Sequence, residues 1–106
     1  PEMKIVLAGR HDALTVTKQT IRTALPVDTR YSVWPVGTVG FDKSDGLIWP
    51  LDGLTLSPHG QVGTSNRTAK PAQLLQPETD NSTAFAVIVP VECLGHLCDA
   101  VMSGAG

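Results

Sequence analysis

Trp49 and the triplet Thr64-Ser65-Asn66 are the residues of this 106-residue chain whose types and spacing best suit small-molecule chemistry. An indole face can stack on a flat, electron-poor or cationic heterocycle, a contact worth about 0.5–2 kcal/mol. The bland alternative for a strand tryptophan is packing in the core. A hydroxyl beside a carboxamide offers donors and acceptors together, which suits a ring such as an aminopyrimidine. The same small polar side chains also serve to satisfy nearby backbone groups. The residue types leave both alternatives open.

The other reactive side chains form no recognisable set. Cys93 and Cys98 flank His96, but this spacing is unusual for zinc and no second pair accompanies it. Small buried thiols are the simpler reading. His11 and His59 fall in turn-like segments, where solvated histidine is expected. No phosphate-cradling glycine motif and no H-E-x-x-H occurs, and the aspartates are scattered. Nothing in the chain marks a site for magnesium on a triphosphate. The chemistry on offer is therefore binding, with no catalytic residue to name.

The elements that must position Trp49 and Asn66 follow from periodicity and turn signals. Met3–Ala8 reads as a short strand closed by Gly9. Residues 12–25 hold many β-branched side chains and read as two strands with a bend near Lys18, ended by Pro26. Residues 29–36 alternate, with Tyr31 and Val33 on one face and Ser32 and Trp34 on the other. The glycine- and aspartate-bearing run 36–46 reads as a loop. Leu47–Leu51 reads as a strand with Leu47, Trp49 and Leu51 on one face.

Asp52-Gly53 reads as a turn, and Leu54 and Leu56 restart the alternation. Ser57-Pro58-His59-Gly60 fits a type I turn, and residues 61–66 return as an extended piece. Arg67–Ser82, poor in apolar residues, reads as a long mobile surface loop. Residues 83–89 read as a buried strand. After Pro90 the apolar spacing changes to three and four through Val91, Leu94, Leu97, Cys98 and Val101, which predicts a short helix with Gly104 as its stop. The expectation is an all-β, antiparallel sandwich of jelly-roll type with a short C-terminal helix, in one domain spanning residues 1–106. No β-α-β alternation is visible, so a doubly wound nucleotide-binding sheet is not expected.

Composition agrees with a binding domain. At 42% apolar and 17% charged, with a formal charge of -2, the chain has neither the basic excess of a nucleic-acid binder nor an acidic tail. No window approaches the roughly 20 apolar residues of a membrane helix. No charged leader precedes an apolar run, and two cysteines make no disulfide scaffold, so the expected location is cytoplasmic. The first residue is Pro1, which fits either a removed methionine or a piece of a longer chain.

Four motifs in register resemble the C-terminal, vitamin B1-binding domain of thiamine pyrophosphokinases. They are Tyr31-Ser32-Val33-Trp34-Pro35-Val36-Gly37, Gly46-Leu47-Ile48-Trp49-Pro50-Leu51, Thr55-Leu56 and Gly63-Thr64-Ser65-Asn66. They match the family's Ser-containing strand ending in Pro, its G-L-x-[YW]-x-L strand, its T-L piece and its G-x-S-N segment. The resemblance covers residues 29–66. Arg67 stands where many members carry an acidic residue, and the tail after Pro90 has no clear family counterpart.

The resemblance implies a jelly-roll β-sandwich from an enzyme that moves diphosphate from ATP to thiamine, giving thiamine diphosphate and AMP. It implies that ATP and magnesium belong to an N-terminal α/β domain absent from this sequence, and that the enzyme is a homodimer. By the same resemblance Ser65 and Asn66 hydrogen-bond the aminopyrimidine, Trp49 lines the ring site, and Gly46 and Leu47 shape its edge. The chain alone is then expected to be inactive. The alternative is a stand-alone, non-enzymatic β-sandwich that binds a small heterocycle.

Overall fold

The computed structural model describes residues 5–60 and 64–103. Among the described residues nine strands form two antiparallel sheets. The first sheet holds β1 (Val6–Ala8), β2 (Asp12–Thr17), β9 (Phe85–Pro90), β4 (Arg30–Pro35) and β7 (Thr64–Arg67), in that order. The second holds β3 (Ile21–Thr23), β8 (Gln73–Pro77), β5 (Val39–Asp45) and β6 (Thr55–Leu56). A 3-10 turn at Val91–Cys93 leads into α1 (Leu94–Ser103). The expected all-β sandwich with a short C-terminal helix is what the chain forms.

Alternation builds the core, as a period of two requires. Tyr31 and Val33 of β4, and Phe85, Val87 and Val89 of β9, turn inward from the first sheet. Phe41, Leu56 and Leu75 meet them from the second. The rings of Phe41 and Phe85 pack edge to face across the sandwich, with centroids 5.1 Å apart. Leu97 and Ala100 of α1 join the same core as Ala13 and Ile21, so the helix closes the side where β2 and β3 diverge. The Tyr31 hydroxyl is buried in this core and finds no partner among the described residues, and burial pushes its ionisation well above the usual range.

Three expectations are corrected. The run 36–46 is not a loop, because β5 occupies Val39–Asp45. A register shift between Phe41 and Lys43, where β5 meets β8, breaks the alternation and hides the strand's period. Likewise, 67–82 is not one loop, since β8 lies within it and sits between β3 and β5. Its inward positions are Gln73, Leu75 and Pro77, and a carboxamide and a proline at core positions conceal a strand from an apolar-pattern search. Finally, Leu47–Leu51 is not a strand: Leu47 makes one bridge, to Thr68, and the chain bends at Ile48 and Trp49. The bend turns Leu47 and Leu51 inward and leaves Trp49 57% exposed, so the three do not share a face.

Other expected elements are found, and the strand expected at 83–89 runs from Phe85 to Pro90. The bend near Lys18, the strand Arg30–Pro35, the turn at Asp52-Gly53 and the helix after Pro90 are all present. Gly60 N–H bonds the Ser57 carbonyl across the expected turn. The expected start of the first strand at Met3, the extended piece at 61–63 and the stop at Gly104 lie outside the described residues.

Candidate functional site

The site is a seam where residues 46–49 run against residues 66–69. Gly46 starts it with a φ of 79°. A Cβ there would stand 2.1 Å from the Ala72 carbonyl oxygen, so both the dihedral and the space call for glycine. Asp45 caps the bend, its carboxylate accepting from the Gly46 N–H at 2.9 Å. The Ala69 N–H then bonds the Gly46 carbonyl at 2.7 Å, and the Ile48 N–H bonds the Arg67 carbonyl at 2.9 Å. Residues 46–48 thereby lie beside the outer edge of the chain leaving β7.

Asn66 supplies the next rung with its side chain. Its Oδ1 accepts from the Trp49 N–H at 3.1 Å, and its Nδ2 donates to the Trp49 carbonyl at 2.6 Å. The same Oδ1 accepts from the Arg67 N–H. A carboxamide has the donor and acceptor of a peptide group, so it continues the ladder where the backbone has turned away. Asn66 is 1% exposed, whereas Trp49 and Ile48 stand out into solvent. The seam presents an indole on a clamped backbone.

Ser65, one residue earlier, faces the opposite way from Asn66. It pairs with Ser32 of β4, and its side chain is exposed on the outer face of the first sheet. Arg67 follows on that face, with its guanidinium on the Asp28 carbonyl and carboxylate.

A cleft of about 330 Å³ opens on the other side of Gly46 and Leu47. Ser44, Asp45, Pro50, Asp52, Ala69 and Lys70 complete its lining. The Ser44 hydroxyl donates to Asp52 Oδ1 at 2.6 Å and accepts from the Leu51 N–H at 2.8 Å. That hydrogen bond chiefly holds the Asp52 carboxyl below the usual carboxylate range. Across the cleft Lys70 Nζ donates to Asp45 at 3.1 Å and, foremost among several contributions, lowers the Asp45 carboxyl.

The five expected site residues therefore divide. Gly46 and Leu47 line the cleft, Trp49 and Asn66 are joined at the seam, and Ser65 stands on the sheet face. The cleft's polar residues, Ser44, Asp52 and Lys70, gave no sequence signal, because their pairing depends on the bend at Gly46 and on β5. Among the described residues no group of three or more His, Cys, Asp or Glu is placed to hold a metal ion. Cys93 is buried, which pushes its thiol up, and Cys98 is half-buried. His11 and His59 are exposed in a bend and a turn.

Comparison with solved structures gives the architecture a precedent. A thiamin pyrophosphokinase from Geobacillus thermodenitrificans superposes with a TM-score of 0.69 at 20% identity, over 80% of this chain and 40% of that one. Thiamine pyrophosphokinase from Bacillus subtilis gives a TM-score of 0.67 at 13% identity, over 85% of this chain and 42% of that one. The chain has the fold of part of these enzymes. It accounts for about two fifths of their length. No protein-family model matches the sequence, and no curated protein matches it. Among the described residues no helix is long and apolar enough to cross a membrane.

Proposed function

We propose that this chain, as one domain, is the thiamine-binding part of a thiamine pyrophosphokinase. One observation carries the reading: Gly46–Leu51 and Thr64–Asn66, motif halves separated in sequence, meet at one seam through the two Asn66–Trp49 hydrogen bonds. They do so in a fold that solved thiamin pyrophosphokinases share.

In this proposal the exposed Trp49 indole provides the face for the aminopyrimidine, and the Ser65 hydroxyl bonds its polar edge. Asn66 acts by holding the Trp49 backbone, since two of its carboxamide's bonds go there and the residue is 1% exposed. Gly46 and Leu47 set the position of the bend. No bond is made or broken by these residues. They orient the thiamine hydroxyl for in-line attack on the β-phosphorus of ATP, with AMP leaving, a reaction in which positioning does much of the work. Magnesium and ATP are assigned to a domain outside this chain, in a cytoplasmic homodimer, and the chain alone is inactive.

The test uses both the chain and its parent enzyme. Thiamine titrated into the 106-residue chain should change tryptophan emission in Trp34→Phe and leave it unchanged in Trp49→Phe. In the parent enzyme Asn66→Ala should raise the thiamine KM about 2- to 13-fold, the equivalent of a hydrogen bond of about 0.5–1.5 kcal/mol, and leave the ATP KM alone. An unchanged thiamine KM in both Asn66→Ala and Trp49→Ala would sink the proposal. Turnover of ATP and thiamine by the chain alone would overturn the division of labour. Binding of other heterocycles in preference to thiamine would favour the stand-alone module.

A further inference from the structure

Two like charges stand side by side on the outer face of the first sheet. Arg30 and Arg67 are register partners across the β4–β7 ladder, and Ser32 and Ser65 are the next pair on the same face. The pair between them, Tyr31 and Asn66, turns inward and is buried. Like charges directly opposite weaken a sheet, so this arginine pair calls for counter-charge. Asp12 and Asp28 supply part of it. Asp12 of β2 pairs with Arg30. Asp28, in the turn before β4, pairs with Arg67 at 3.5 Å, and its carbonyl accepts from Arg67 Nη1 at 3.1 Å. Both carboxylates lie away from the serines, one of them two strands over and the other beyond the end of β4.

We infer that the square made by Arg30, Arg67, Ser32 and Ser65 binds a diphosphate group. Arg30 meets Asp12 through Nη2 and Arg67 meets Asp28 through Nη1, which leaves each guanidinium further N–H donors. The Ser32 and Ser65 hydroxyls have no hydrogen-bond partner among the described residues. Phosphate oxygens accept from both kinds of donor, and a guanidinium fork meets them two at a time. The Arg67 and Asp28 side chains are 50% and 75% exposed, so their ion pair is weak and yields to a multiply charged ligand. Size selects diphosphate over phosphate. The corners stand about 5 Å apart across the ladder and about 7 Å apart along it, a span that two linked phosphoryl groups cover better than one.

This inference does not rest on thiamine binding. It is compatible with the role proposed for Ser65, whose lone pairs can accept from a ring amino group while its hydrogen goes to phosphate.

Isothermal titration of inorganic pyrophosphate into the 106-residue chain tests it. The expected result is one site per chain with a dissociation constant below about 1 mM in about 20 mM salt. Inorganic phosphate should bind at least about tenfold more weakly. Arg67→Glu should abolish binding with the circular dichroism unchanged, and Ser32→Ala should weaken it about threefold. Asp28→Asn removes the competing carboxylate and should tighten binding about threefold; asparagine tolerates the φ of 64° at this position. Arg22→Gln, exposed on β3 of the second sheet, should leave binding alone. No heat from pyrophosphate, or phosphate binding as tightly as pyrophosphate, overturns the inference. So does binding that survives Arg67→Glu or ignores Asp28→Asn. Thiamine binding without pyrophosphate binding overturns this inference alone, and pyrophosphate binding without any effect of thiamine counts against the thiamine reading alone.

Discussion

Asn66 and Gln73 are two buried carboxamides that do the same local job in different settings. Each grips the backbone of a distant residue with donor and acceptor together. Gln73 accepts from the Leu25 N–H at 2.9 Å and donates to the Leu25 carbonyl at 3.1 Å. It also takes the Thr23 hydroxyl at 2.8 Å and gives its other hydrogen to the Lys70 carbonyl at 2.7 Å. The residue Gln73 holds is fully buried, while the residue Asn66 holds carries an exposed indole. One amide closes a core and the other presents a side chain. The contrast shows that an identical hydrogen-bond pattern is structural or functional according to what hangs from the gripped backbone.

Substitution can break that contrast. Gln73→Leu should cost the most, about 2–4 kcal/mol, because it strands both backbone groups of Leu25 and the Thr23 hydroxyl away from water and removes the partner of the Lys70 carbonyl. Urea denaturation reads this directly, and a loss below about 1 kcal/mol would show that water reaches these groups. Asn66→Ala should cost less, about 1–2 kcal/mol, since the Trp49 backbone lies nearer solvent. Its distinguishing sign is a red-shifted, more quenchable Trp49 emission in a Trp34→Phe background. Equal costs at the two sites, with emission unmoved, would make Asn66 a second core staple and remove the contrast.

Ser44→Ala sharpens the comparison from the cleft side. It deletes the donor to Asp52 and the acceptor for the Leu51 N–H, at about 1 kcal/mol. It should also flatten the acid limb of stability. The Asp52 carboxyl is lowered in the folded state, so its contribution is present above its unfolded value near 4 and is lost as pH falls through the folded value. The urea midpoint should therefore fall less between pH 6 and pH 3 in Ser44→Ala than in the parent chain. An identical fall in both chains would assign the acid sensitivity elsewhere. The smallest effect belongs to Tyr31→Phe. Removing a buried hydroxyl with no partner among the described residues should leave stability unchanged or raise it by up to about 1 kcal/mol. A clear loss in thermal unfolding would mean that the hydroxyl is bonded in solution.

The sequence made the sandwich legible where apolar alternation ran unbroken, as in Arg30–Pro35, or where a continuous apolar run marked a buried strand, as in Phe85–Pro90, and the helix where the spacing changed after Pro90. It hid β5 behind a bulge and three glycines, and β8 behind Gln73 and Pro77 at inward positions. For the site, Asn66 and Trp49 stood out by type. Their mutual bonding did not, since it depends on a chain reversal between residues 49 and 66. The expected strand at Leu47–Leu51 put Trp49 on one face with Leu47 and Leu51 because a period of two assumes a straight backbone, and the φ of Gly46 ends that assumption. Ser44, Asp52 and Lys70 became neighbours only through elements the pattern did not disclose.

The segment laid along residues 66–69 has a further consequence, for solubility. β7 is a terminal strand of its sheet, and an uncovered terminal strand is a template for uncontrolled stacking of chains. Residues 46–48 occupy the outer carbonyl of Arg67 and the outer amide of Ala69, and the Asn66 carboxamide extends that cover by one more rung. The bend that displays Trp49 thus doubles as a guard against fibre growth, and Asn66→Ala should shorten the lag time of thioflavin-detected aggregation.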